Sequence, residues 1–165
     1  MKRLLLTSLF LGSSAFAIGI GNYQITPEIG ASFGTQNTNE TKFTYGGYAR
    51  VWAGISRIVF APSIKYDVMA VKNATNYNNT QLGGLVGFEV PILPLTPYVG
   101  VHYSKFSGVN LNNTFAINYG VKVDVPILPF VTVGLEGTWQ KPRDSKDPKH
   151  ELPINRGTFT IGLAF

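Results

Sequence analysis

The sequence predicts an all-β protein, an eight-stranded antiparallel up-and-down transmembrane β-barrel. Three observations predict it. Apolar and polar residues alternate along most of the chain, and the gaps between alternating runs are by turns polar and long or short and often proline-rich. The last run, from Gly157 to Phe165, alternates without a break. Gly157, Phe159, Ile161, Leu163 and Phe165 share one face there, and Thr158, Thr160, Gly162 and Ala164 the other. A strand repeats every two residues, so one face is apolar and the opposite one small or polar. A free apolar edge of this kind invites aggregation. Pairing the last strand with the first removes that edge, as strands that cross a bilayer must.

The N-terminal residues read as a separate element. Lys2 and Arg3 form a basic start, Leu4 to Leu11 an apolar core, and Ala15-Phe16-Ala17 a small-residue cleavage site. This is the pattern of an export signal peptide, and its apolar run is too short to span a membrane as a helix. The expected division is a signal peptide over 1–17 and a barrel over 18–165. Without Lys2 and Arg3 the formal charge falls by two from +5, to about +3. That is too mild for a nucleic-acid-binding surface, and no basic stripe is present. The lack of cysteine fits an exported protein stabilised without disulfides. Beyond the signal no apolar run approaches the roughly 18 residues of a membrane helix. Any crossing therefore falls to strands.

Taken in order, the first strand, at about 22–34, turns Tyr23, Ile25, Pro27, Ile29, Ala31 and Phe33 outward and Gln24, Thr26, Glu28, Gly30 and Ser32 inward. The second, at about 41–54, sets Phe43, Tyr45, Ala49, Val51 and Ala53 against Lys42, Thr44, Tyr48, Arg50 and Trp52. A bulge at Gly46-Gly47 would shift its parity. The third, at about 57–70, has Ile58, Phe60, Ile64, Tyr66 and Val68 against Arg57, Ser63, Lys65 and Asp67. The fourth, at about 81–90, alternates Leu82, Val86, Phe88 and Val90 with Gln81, Gly83, Gly87 and Glu89. In the fifth, at about 97–106, Val99, Val101 and Tyr103 oppose Tyr98, Gly100, His102 and Ser104. The sixth, at about 114–125, is the most regular, Phe115 to Val125 against Thr114, Asn118, Gly120, Lys122 and Asp124. The seventh, at about 130–140, sets Val131, Val133, Leu135 and Trp139 against Thr132, Gly134, Glu136 and Thr138. Arg156 opens the eighth.

The connections alternate in character. Gaps at about 35–40, 71–80, 107–113 and 141–155 are polar, whereas Gly54 to Arg57, Pro91 to Thr96 and Pro126 to Pro129 are short or proline-pinned. Transmembrane barrels have short periplasmic turns and longer external loops, which places both barrel termini on the periplasmic side. Pro27, Pro62 and Pro97 recur every 35 residues, as do the two Pro-Ile-Leu-Pro segments at Pro91 and Pro126. Four hairpins of this length suit a repeat-built barrel. By position, Tyr23, Phe60, Phe88, Phe130 and Phe165 form a periplasmic aromatic belt, and Phe33, Phe43, Tyr66, Phe115, Trp139 and Phe159 an external one. A soluble sandwich or lipocalin-like barrel would share the alternation but not the two belts.

The segment Pro97-Tyr98-Val99-Gly100-Val101 after a proline-rich turn, together with the strand ending on Phe165, resembles the small outer-membrane barrels of the OmpA transmembrane domain, OmpX and NspA type. The resemblance is one of pattern over 18–165. It implies a place in the Gram-negative bacterial outer membrane, contact with its lipid and lipopolysaccharide, and no cofactor. It also implies that the barrel-assembly machinery reads Gly157, Phe159, Ile161, Leu163 and Phe165 during biogenesis.

An eight-stranded barrel is just wide enough for its inner side chains to fill it. Glu28, Arg50, Lys65, Asp67, Lys122, Glu136 and Arg156 fall on inward positions, and charges held away from water must be paired. They predict a polar network that plugs the lumen, with a narrow porin-like passage as the alternative. His102-Tyr103-Ser104 resembles the His-x-Ser of outer-membrane lipid A deacylases, whose His and Ser work with a Glu on a neighbouring strand. Here Lys105 stands where that family has Asn, the sixth strand has no Glu, and the pair faces inward rather than toward lipid. No catalytic set is expected, and no metal site: His150 has no second His nearby. Lys141, Arg143, Lys146 and Lys149 lie in the longest external loop, where they would meet lipopolysaccharide phosphates or a host surface. Asn-x-Thr triplets begin at Asn39, Asn73, Asn78 and Asn112, all in loops. The expected role is non-enzymatic, in membrane integrity or surface interaction.

Overall fold

A computed structural model describes residues 18–20, 23–38, 41–69, 76–128, 130–145, 147, 149 and 151–165. The expected signal peptide, Lys146 and His150 lie outside these residues. Eight long strands follow a three-residue one: β1 (Ile18–Ile20), β2 (Tyr23–Asn37), β3 (Thr41–Ile55), β4 (Ile58–Met69), β5 (Tyr77–Phe88), β6 (Leu95–Ser107), β7 (Thr114–Asp124), β8 (Val131–Gln140) and β9 (Ile154–Ala164). Each pairs antiparallel with the next, and β9 closes onto β2 from Glu28↔Ala164 to Asn37↔Asn155. Below that closure β1 pairs with Tyr23 to Ile25, whose other edge is taken by β3. The Phe165 amide donates to the Pro27 carbonyl at 2.9 Å and finishes the seam.

The barrel is apolar outside and polar inside. Ile29, Leu82, Phe115 and Leu135 are 58%, 62%, 67% and 67% exposed, whereas Asp67 and Gln81 are 0% exposed. A soluble core would reverse this arrangement. Outward rings pair toward the loop end: Phe33 lies 5.2 Å from Phe159, and Tyr103 makes an edge contact of 5.8 Å with Phe115.

Three details depart from the sequence reading. The β2–β3 register runs unbroken through Gly46-Gly47, so no bulge shifts the parity. Ser56 and Arg57 form a two-residue turn, with Ser56 in the left-handed region at φ 62°, so Arg57 is exposed rather than inward. That left-handed backbone is what a two-residue hairpin turn demands. Finally, β2, β5 and β9 reach further toward the loop end than alternation indicates. Thr35, Gln36 and Asn37, and likewise Asn78, Asn79 and Thr80, are polar on both faces yet still paired. Hydrophobic contrast marks a strand only where its outer face is apolar, while the hydrogen-bond ladder continues beyond.

Glycine opens space for tyrosine inside the wall. A Cβ on Gly30 would stand 2.5 Å from both the Ile161 carbonyl oxygen and the Tyr48 ring. Gly30→Ala should therefore lower stability by about 1–3 kcal/mol through overpacking. Gly157→Ala, with nothing within 4 Å of the added carbon, should fold as well as the parent. Urea unfolding of the two variants in lipid vesicles compares them directly.

Candidate functional site

The lumen is layered. At the turn end Trp52, Val59, Ala61, Leu85 and Tyr98 form an apolar cluster, and at the loop end Met69, Tyr77, Phe106 and Ile154 form another, with Leu111 against it. Inward Leu85, Met69, Phe106 and Ile154 were not legible as lumen plugs, since they read as breaks in a polar inner face. Between the two clusters lie the charges.

Six of the seven candidate lumen residues are at most 4% exposed, and Lys122 is 8% exposed. Five form one chain. Glu136 accepts from Arg50 through Oε2, from the Tyr98 hydroxyl at 2.8 Å and from Lys65 at 2.6 Å. Lys65 also stands 3.6 Å from Asp67, which accepts from Arg156 and, at 3.0 Å, from the Ser32 hydroxyl. Arg156 continues to Gln36 at 3.2 Å and Asn79 at 3.0 Å. The Arg50 guanidinium lies 4.3 Å from the Tyr48 ring centre and 5.2 Å from that of Tyr98. Such stacking and bidentate reach suit arginine better than lysine.

Glu28 sits apart and makes no ion pair among the described residues. It accepts from the Trp52 indole at 2.6 Å, the Tyr48 hydroxyl at 2.8 Å and the Thr132 hydroxyl at 2.9 Å. Taken together, Glu28, Asp67 and Glu136 balance Arg50, Lys65 and Arg156, so the lumen core is neutral. Lys122 pairs with half-exposed Asp124 at 3.0 Å near the turn-end mouth and lies 5.4 Å from the Trp52 ring centre.

His102 and Ser104 are both buried in the lumen and bind different partners. Ser104 donates to Gln140 Oε1 at 2.7 Å and accepts from Asn79 at 2.7 Å. His102 Nε2 lies 3.0 Å from the Ser63 hydroxyl, and Asn118 Nδ2 lies 2.8 Å from Nδ1. That is a Ser–His–Asn row, which spacing along the chain did not reveal because Ser63 comes from β4.

Hydrogen-bond polarity decides what the row can do. Arginine only donates, so Asn79 turns Oδ1 toward Arg156. Gln81 then donates to that same oxygen at 2.9 Å, which leaves Gln81 Oε1 to accept from Asn118 Nδ2 at 2.9 Å. The same Asn118 amide faces His102 Nδ1, which therefore accepts, and Nε2 carries the proton and donates to Ser63. A general base must take the serine proton, so this tautomer does not activate Ser63. Ser63→Ala should cost about 1–3 kcal/mol of stability by stranding the imidazole N–H. Lipid A from cells expressing that variant should show the same acyl-chain pattern as with the parent.

Of the loop cations, Arg143 pairs with Glu151 at 3.1 Å, and Lys141 Nζ lies 5.2 Å from the Trp139 ring centre. The Lys149 amide donates to Asp147 at 3.2 Å.

A closed eight-stranded sheet with an apolar exterior and a buried polar interior is the architecture of a small transmembrane β-barrel. The chain shares the fold of solved outer-membrane barrels. Neisserial surface protein A matches with a TM-score of 0.58 at 12% identity, over 85% of this chain and 95% of that one. The N-terminal barrel domain of Pseudomonas aeruginosa OprF matches with a TM-score of 0.60 at 16% identity, over 85% and 97%. The outer-membrane enzyme PagL matches with a TM-score of 0.61 at 12% identity, over 82% and 98%. No protein-family profile and no curated protein sequence matches the chain.

Proposed function

We propose that this chain is a non-conducting, non-enzymatic barrel of the bacterial outer membrane with a role in membrane integrity or surface interaction. The observation that carries the reading is the lumen: a chain of buried, mutually paired charges lies between two apolar clusters. Its four polar loops face outward and its proline-marked turns face the periplasm, by the asymmetry usual in such barrels. The tautomer of His102 supports a structural role for the one feature that resembles an esterase. Lys141, Arg143, Lys146 and Lys149 serve contact with lipopolysaccharide or a host surface. Gly157, Phe159, Ile161, Leu163 and Phe165 serve as the strand recognised during barrel assembly.

Deleting the gene should raise uptake of a hydrophobic dye by intact cells, and the parent chain should restore the barrier. Replacing residues 141–153 by a short turn should keep the folded barrel and the barrier while removing surface binding. A barrier unaffected by the deletion would sink the integrity role, and binding unaffected by the loop replacement would sink the surface role of that loop.

A further inference from the structure

We propose that the outer wall of β5, β6 and β7 binds a phosphorylated, multiply acylated outer-leaflet lipid of the lipid A type. One acyl chain lies in an apolar furrow, and the phosphates meet Lys105 and Lys141 at the loop end. The site rests on the outer-membrane placement proposed above, and deepens it.

The furrow has a plain cause in the register. Pro62, Gly84, Val101 and Ile117 form one outward row across four strands. Gly84 contributes no side chain, so the surface sinks between Pro62 and Val101, with Phe60, Val86 and Val99 along the same hollow. Elsewhere the outward face is filled by Leu82, Phe115 and Leu135. Two residues further up β6 comes Tyr103, and two further up β7 comes Phe115, the edge-to-face pair. Directly beyond them is a second, polar hollow lined by Tyr103, Asn112, Asn113, Lys141, Arg143 and Glu151. An apolar hollow leading to a polar one along the same two strands fits a lipid entering by its tail and held by its head.

The head end is shaped and charged for an anion. Asn113 donates to the Tyr103 hydroxyl at 2.9 Å, and the two loops beside it are tied by Asn112 N–H to Arg143 O at 2.8 Å and Ser145 N–H to Asn110 O at 3.0 Å. Arg143 is engaged with Glu151. Among the described residues, Lys105 and Lys141 have no carboxylate within ion-pair distance. Lys105 is exposed on β6 above Tyr103, and Lys141 is exposed above the Trp139 ring. Lys141 lines the notch and Lys105 stands two residues beyond Tyr103 on β6. Two lysines at this level suit a headgroup with more than one phosphate, and a tryptophan here marks the membrane interface.

The test is lipid retention by the refolded chain in detergent, read by native mass spectrometry. The probes are bis-phosphorylated hexa-acyl lipid A, its dephosphorylated form and phosphatidylglycerol. The parent should retain bis-phosphorylated lipid A over the other two. The Lys105→Glu/Lys141→Glu double variant should weaken retention about tenfold or more. Gly84→Leu should do the same from the tail end. A Cβ at Gly84 meets only the Ala61 carbonyl oxygen at 3.9 Å, so that variant keeps the barrel, which its heat-modifiable gel shift verifies. Equal retention of phosphatidylglycerol, or retention untouched by both variants, would overturn the site. A folded parent that retains no lipid A overturns the site alone, whereas a parent with no folded form in detergent or lipid overturns the membrane reading with it.

Discussion

Glu136→Ala is expected to lower barrel stability by about 3–5 kcal/mol, enough to abolish the folded form in many lipids. Glu136 is 3% exposed and accepts from Arg50, Lys65 and Tyr98 at once. Its removal takes away the direct ion-pair partner of Arg50 and leaves Lys65 only Asp67 at 3.6 Å, which is already bound to Arg156. The cost comes less from the lost bonds than from the charges left without a partner. Converting Arg50 and Glu136 together to Met and Gln should therefore recover much of what Glu136→Ala loses. Urea unfolding of all three forms in the same vesicles measures this. Equal stability of Glu136→Ala and parent would mean that water reaches the centre of the lumen.

The second large effect is expected on the outer wall. Leu135 is outward, 67% exposed, and midway along β8, between Val121 and Phe159 of its neighbours. Leu135→Arg should cost about 2–4 kcal/mol in a bilayer, because the guanidinium meets hydrocarbon at mid-depth. On a soluble protein the same exposed substitution would stay within about 0.5 kcal/mol. The comparison thus separates a transmembrane barrel from a water-soluble one with identical strand topology. Gly157→Arg, nearer the loop end, should cost less than Leu135→Arg if depth sets the penalty.

The fold was largely legible in the sequence because a membrane barrel states its two faces residue by residue. The uninterrupted alternation from Gly157 to Phe165 and the alternating loop lengths were enough to give eight strands and their parity. The inward positions of Glu28, Arg50, Lys65, Asp67, Glu136 and Arg156 follow from that parity alone. Their partners do not. Arg50 meets Glu136 across the lumen, and Asp67 meets Arg156, through the stagger by which eight tilted strands close, which no local pattern records. Ser63 beside His102 was hidden for the same reason. The strand ends were misjudged where Gln36 and Asn79 continue the ladder with polar residues on both faces. Sequence also showed Gly84 only as one of a pair of glycines; the register is what sets it beside Pro62 and Val101 as the floor of a furrow.

Single-channel recording of the refolded chain in planar bilayers tests the closed lumen most directly. The parent should insert, show its heat-modifiable folded band and give no discrete conductance steps. Steps that change size on Arg50→Ala or Lys65→Ala would contradict the account, since they would place an open aqueous path through the residues said to close it.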